Sequence, residues 1–173
     1  MLSDERRNNI EIELRNNTEP ISATSLAKKF YVSRQVIVGD IALMRAAGLE
    51  ISATPRGYVI NSKDEKNHNI YTIACCHDEY NMAAELYAVV DNGGTLLDVT
   101  VEHPIYGQIV GQLQISSRYD ADLFLKKVKN DQAQPLMRLT GGIHIHTIKC
   151  DNEEAFIRIK NALKLENIIL DEK

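Results

Sequence analysis

The hydrophobic period of this chain changes once, across the polar stretch Asn61-Ser-Lys-Asp-Glu-Lys-Asn-His-Asn69, which holds no periodic apolar residues. Before it, apolar residues recur at spacings of three and four, the period of helices. After it, short alternating runs, the mark of strands, come between helical patterns. With no internal repeat and no low-complexity segment elsewhere, the break predicts two domains, residues 1–62 and 63–173. The second, at about 110 residues, is long enough for a core of its own.

The first domain reads helix, helix, helix, hairpin. A first helix is expected from about Ser3 to Asn16, with Ser3 as N-cap, Ile10 and Leu14 on one face, and Thr18-Glu-Pro20 ending it. Ser22 should cap a short second helix through Phe30 that buries Leu26 and Phe30. Tyr31-Val-Ser33 is the turn, and Ser33 caps a third helix in which Ile37, Ile41 and Met44 form the core stripe. Gly48 stops that helix. The run Ile51–Ile60 then predicts two short strands around Pro55-Arg56-Gly57, a wing.

This order is a winged helix-turn-helix, which lays its third helix in the major groove of DNA. With the core stripe turned inward, Ser33, Arg34, Gln35 and Val38 lie on or beside the outer face, next to Gly39. Arginine can grip guanine, glutamine can grip adenine, and valine can touch a thymine methyl. A mid-helix glycine costs about 1 kcal/mol against alanine, which close approach to DNA would explain. Arg56 at the wing tip, with Lys28 and Lys29, could clamp phosphate.

Bulk charge does not make this case. The chain carries a net −4, with eight Lys/Arg against seven Asp/Glu in residues 1–62 and twelve against seventeen in residues 63–173. Placement has to carry the nucleic-acid argument. Hydrophobic residues make up 44% and charged residues 25%, a globular composition that excludes disorder. No apolar run approaches the roughly 18 residues of a membrane span, and Met-Leu-Ser-Asp-Glu-Arg-Arg is not signal-like. The cytoplasm is the expected compartment, with no membrane partner.

The second domain reads β-α-β-β-α-β-α. Strands are expected at Tyr71–Cys76, Thr95–Glu102, Gln108–Ile115 and Ile143–Lys149. Helices are expected over Asp78–Val90 and Ser117–Asn130, with a last one capped by Asp151 or Asn152. That order fits a ferredoxin-like β-α-β-β-α-β sheet with helices on one face, and the whole chain is α+β.

Chemistry concentrates in this domain. In Gly-Gly-Ile-His-Ile-His-Thr-Ile, strand alternation turns His144 and His146 to one face. Two adjacent imidazoles repel if both are charged, and a metal bound to their neutral forms removes that conflict. The strand Tyr71–Cys76 leads into a third imidazole, His77, and Glu85 follows on a helix where Met82, Leu86 and Val89 make it border an apolar stripe. A carboxylate there needs a partner. Three imidazoles and a carboxylate suit a divalent transition metal, zinc, nickel, iron or cobalt, better than magnesium or calcium.

The remaining histidines and the cysteines say less. His68 reads as a surface residue of the polar stretch. His103, in the loop Val-Glu-His-Pro-Ile-Tyr-Gly with Tyr106, could be a further ligand, a donor to one, or a contact to a small molecule. Three cysteines, an odd count without a framework, argue for thiols. Packing as small apolar residues is the plain reading. Cys75 shares strand parity with His77 and Cys150 with His146, so a thiolate ligand stays open, ranked below a carboxylate.

Two resemblances follow. The run from Ser25 to Gly48, Ser-Leu-Ala-Lys-Lys-Phe-Tyr-Val-Ser-Arg-Gln-Val-Ile-Val-Gly-Asp-Ile-Ala-Leu-Met-Arg-Ala-Ala-Gly, resembles the winged helix of biotin-repressor-type bacterial regulators. His77, Glu85, the Val-Glu-His-Pro-Ile-Tyr-Gly loop and the Gly-Gly-Ile-His-Ile-His-Thr run resemble the three-histidine (3H) domain. Together they resemble the niacin-responsive transcriptional repressors. That resemblance implies a homodimer on operator DNA that represses genes of niacin uptake or NAD biosynthesis, with nicotinic acid as co-repressor. It also implies that His77, Glu85, His144 and His146 hold the metal, and we assign His103 and Tyr106 to the effector.

Two other functions use the same residues. A metal-sensing regulator would need no organic effector. A metal-dependent enzyme with an appended DNA-binding domain could use Glu85 as a base, but the chain has no nucleophile elbow, phosphate loop or second catalytic carboxylate pair. The expectation is therefore a regulator and not an enzyme.

Overall fold

The computed structural model describes residues 2–60, 69–131 and 133–170. The polar stretch read as a boundary, with His68, lies outside the described residues except for Asn69. The chain divides into two compact units, Met1–Glu65 and Lys66–Lys173.

The first unit contains α1 (Ser3–Asn16), α2 (Ala23–Phe30), α3 (Arg34–Ala46), β1 (Ile51–Thr54) and β2 (Gly57–Ile60). Ser22 and Ser33 cap α2 and α3 by accepting the Ser25 and Val36 N–H at 3.0 and 3.3 Å. Ser3 does not cap α1: it is already helical, and Leu2 takes the cap position with no side-chain bond. Ile10, Leu14, Leu26, Phe30, Ile37, Ile41 and Met44 meet in one core. A buried ion pair ties α1 to α3, with Arg6 Nε donating to Asp40 Oδ2 at 2.6 Å and Nη2 to Oδ1 at 3.3 Å. The wing is fastened by paired backbone bonds between Ile21 and Tyr58, 2.9 and 2.8 Å, and by Arg45 Nε donating to the Ile51 carbonyl at 2.7 Å.

The second unit runs β3 (Ile70–Cys76), α4 (Met82–Val90), β4 (Gly94–His103), β5 (Gly107–Ile115), α5 (Arg118–Asn130), β6 (Ile143–Cys150) and α6 (Glu153–Leu165). Two short 3-10 turns, Glu79–Asn81 and Leu136–Thr140, complete it. The first replaces the expected opening of the α4 helix, because Asp78 caps a tight turn by accepting the Tyr80 N–H at 3.0 Å. Helices α4 and α6 pack on the sheet and α5 packs on α4. Leu86, Val89, Leu96, Ile115, Ile148, Ile159 and Leu163 lie at the centre of the core.

The strand order corrects the ferredoxin-like expectation within the α+β class. The sheet runs β3-β6-β4-β5 with every neighbouring pair antiparallel. A ferredoxin-like sheet slots its third strand between the first and second; here the fourth, β6, takes that slot and β5 lies outside. Both arrangements share one element order, so periodicity along the chain does not distinguish them. The consequence is functional: the strand carrying His144 and His146 is paired on both sides.

Candidate metal centre

In the β3–β6 ladder Cys75 lies opposite His144 and Ile73 opposite His146. Alternation along β6 turns His144, His146, Ile148 and Cys150 to the covered face, and all four are buried. His77 extends β3 by one bond, its N–H donating to the Gly142 carbonyl at 3.3 Å. From the helical layer α4 supplies Glu85, 2% exposed among Met82, Leu86 and Val89. The residue that bordered an apolar stripe in the sequence is thus fully enclosed.

Three rings converge on that carboxylate. The Nε2 atoms of His144, His77 and His146 lie 2.8, 2.9 and 3.2 Å from its oxygens. The His77–His144 and His144–His146 ring centroids are each 4.9 Å apart, and the rings stand near perpendicular. Each Nδ1 points the other way, to the backbone carbonyl of Asp78 (2.7 Å, from His77), Gly142 (2.9 Å, from His144) or Asp98 (2.8 Å, from His146). A carbonyl can only accept, so each Nδ1 carries the hydrogen. In a neutral ring Nε2 then presents a lone pair to Glu85.

Lone pair against carboxylate is repulsive, so cationic charge must lie between them, either protons on the rings or a metal ion. Only the His144 contact has hydrogen-bond geometry. Nε2 of His77 and His146 are close to Glu85 but misaligned, and both are buried without a hydrogen-bond partner. Burial drives the Glu85 carboxyl upward, yet the His146 charge and the close rings outweigh it and hold the group well below the usual carboxylate range. Burial likewise drives His77 and His146 down, but Glu85 and the accepting carbonyls raise both above the ordinary histidine value.

The three carbonyls had no sequence signal. Asp98 reaches His146 because Leu97 is extra in β4, where pairing to β6 jumps from Leu96↔Ile148 to Asp98↔Thr147. Cys75 also belongs here: its Sγ, a Glu85 oxygen and a His144 nitrogen all lie within 4.8 Å of one another. Strand parity with His77 was its only sign. Cys150 does not join them, since its Sγ donates to the Asn152 carbonyl at 3.6 Å where α6 begins.

His103 and Tyr106 meet at the β4–β5 hairpin, ring centroids 4.9 Å apart, and His103 Nδ1 accepts the Ile105 and Tyr106 N–H. Alternation puts His103 on the same sheet face as Val99, which lies opposite His146. Tyr106 is exposed. A cavity of about 1030 Å³ opens beside His77 and Gly142, with Met137 on its wall and two cations, Lys129 and Arg138, balanced by Asp78 and Glu79; Arg138 is ion-paired with Glu79.

In the first unit, Ser33, Arg34 and Gln35 are exposed at the start of α3, and Val38 is half-buried. Gly39 is exposed, and a Cβ there would meet nothing within 4 Å, so no packing inside the unit demands a glycine. Val36 and Leu43 add exposed apolar surface to α3 that the core stripe did not foretell. Arg56 is ion-paired with Glu19, and Lys29 with Glu13 at 2.5 Å, so either would exchange a carboxylate for a phosphate on DNA.

Comparison with known proteins agrees with this layout. The HTH domain family matches residues 6–59 and the 3H domain family residues 70–172. The chain is 40% identical over 168 residues to the probable transcription repressor NiaR of Thermotoga maritima, covering 97% of this chain and 95% of that one. It is 35% identical over 172 residues to the transcription repressor NadR of Bacillus subtilis, covering 98% and 96%. Both are named as transcription repressors, the class expected from the sequence. Among the described residues no helix is long and apolar enough to cross a membrane. The chain belongs to the 3H-domain transcription repressors, and its HTH domain is the part that meets operator DNA.

Proposed function

We propose that this repressor acts as a homodimer on operators of niacin-uptake or NAD-synthesis genes, with nicotinic acid as co-repressor and a divalent transition metal in the sensing unit. His77, Glu85, His144 and His146 hold that metal. One observation carries the reading: three imidazoles locked by carbonyls on Nδ1 aim their Nε2 atoms at a buried carboxylate, and two of those atoms have no hydrogen-bond partner. Imidazole ligands oriented by a bond on the far nitrogen are what metal sites use. Zinc, nickel, iron and cobalt all accept this donor set.

A metal held by these four residues would act as a Lewis acid toward the carboxylate or the pyridine nitrogen of nicotinic acid. The cavity beside His77 admits a small ring, and Lys129 is the cation on its wall that is available to a carboxylate, since Arg138 is paired with Glu79. His103 and Tyr106, assigned to the effector from the sequence, lie on the β4–β5 hairpin and are not among the residues lining this cavity, so an orienting role for them needs the effector to sit elsewhere. The ligand strengthens repression only by its differential affinity for the DNA-competent dimer, whose half-sites lie about 34 Å apart or a multiple of that.

The test is operator affinity at fixed salt, with and without nicotinic acid, before and after chelation. Tightening by nicotinic acid that chelation destroys is the expected result, and His146→Ala should lose it. If nicotinic acid does nothing while chelation alone loosens binding, the metal itself is the signal.

A further inference from the structure

We propose that Cys75 is a fifth donor to this centre, binding the metal through its thiolate beside the three imidazoles and Glu85. The inference rests on the metal reading above and extends it to a residue outside the four-ligand set.

Three observations carry it. Cys75 faces the site from the strand position opposite His144, with Sγ, a Glu85 oxygen and a His144 nitrogen mutually within 4.8 Å. It is 0% exposed, so no solvent competes for the sulfur. The other two nitrogens that approach the same carboxylate, Nε2 of His77 and His146, are buried without a hydrogen-bond partner, so the surroundings of Glu85 ask for a cation rather than for packing.

Without a metal the sulfur is held as a neutral thiol. Sγ is enclosed beside the Glu85 carboxylate, a setting that disfavours a free thiolate. A divalent ion changes that balance, because a coordinating thiol is deprotonated outright. The metal–sulfur bond forms as the S–H bond breaks, and the proton passes to solvent buffer with no change of oxidation state. Adding sulfur to three nitrogens and one carboxylate oxygen softens the donor set. It favours zinc, cobalt or nickel over magnesium, calcium or manganese.

The full chain, stripped by a chelator and loaded with Co²⁺, reports the sulfur directly. The expected spectrum has visible cobalt bands from the imidazole and carboxylate field, plus an intense near-ultraviolet thiolate-to-cobalt band. Cys75→Ser should keep the visible bands, lose the near-ultraviolet band and weaken cobalt binding by about tenfold or more. Cys76→Ser and Cys150→Ser should keep both. X-ray absorption of the wild-type zinc form should show sulfur at about 2.3 Å, which decides the matter even if the variant does not fold. Cobalt bound with visible bands and no sulfur signature, or a band that survives in Cys75→Ser, overturns the proposal and leaves the four-ligand centre standing. Failure of both ions to bind overturns the metal reading itself.

Discussion

Gly142→Ala should break the centre without touching a ligand. Gly142 sits at φ +98°, and a Cβ there would lie 2.5 Å from the His77 carbonyl oxygen and 3.2 Å from its carbon. Carbon–oxygen contacts need about 3.3 Å, so the ends of β3 and β6 must part by nearly 1 Å. That separates His77 from His144, because the Gly142 carbonyl accepts from both the His77 N–H and His144 Nδ1. Backbone strain costs about 1–3 kcal/mol and forced repacking about 1–3 kcal/mol. Gly141→Ala is the control: its φ is +63° and a Cβ there meets nothing within 4 Å, so only left-handed strain of about 1–2 kcal/mol applies. Hydrogen exchange at β3 and β6 under increasing urea reads this unit apart from the other. Gly142→Ala should prove less stable than Gly141→Ala by about 2 kcal/mol, roughly 1 M in midpoint, and bind zinc about 10–100-fold more weakly than wild type. Equal stability of the two variants, with wild-type zinc affinity in Gly142→Ala, would refute the argument that this junction sets the ligand geometry.

Four further outcomes follow from the structure. Asp40→Ala should destabilise the DNA-binding unit by about 3–5 kcal/mol, since it strands the buried Arg6 charge, and hydrogen exchange in α1 and α3 would show it. Gln35→Ala should cost about 1–3 kcal/mol on a cognate operator and relax its sequence preference. Lys28→Ala should instead weaken all DNA alike and lower the salt slope by about 1, measured by fluorescence anisotropy over a salt series. The fourth concerns pH. His77 and His146 are raised by Glu85, so in the metal-free chain their stabilisation is complete below the unfolded value of about 6.5 and is lost as pH rises through the folded values. Metal needs the deprotonated rings, so zinc affinity should fall as pH drops from about 8 to 6. Thermal melts of both forms across that range should diverge at high pH and converge at low pH; parallel curves would rule out proton–metal competition.

Much of the site was legible because its signals are local. His144 and His146 share parity on one strand, and Glu85 intrudes on an apolar stripe that has no other reason to hold a carboxylate. The Ser22 and Ser33 caps were equally plain, since a cap depends on residues three positions away. Ser3 failed as a cap for a reason of the same scale: the helix begins one residue earlier than the nearest hydroxyl suggested.

What stayed hidden was non-local or carried by backbone. The carbonyls of Asp78, Gly142 and Asp98 that fix the three tautomers belong to residues whose side chains say nothing of the role. Cys75 reads as a small core residue until β6 is laid against β3.

By itself, then, the sequence determined two domains, a winged helix-turn-helix, the order of strands and helices in the second, and the faces on which His77, Glu85, His144 and His146 lie. Those follow from period and from near neighbours along the chain, which side-chain identity encodes directly. Only the tertiary structure decided that β6 lies between β3 and β4, and so where three nitrogens, a carboxylate and a sulfur would meet. Strand pairing is won by contacts between residues about 70 apart (Cys75 and His144 among them), and no local period records which partner a strand will choose.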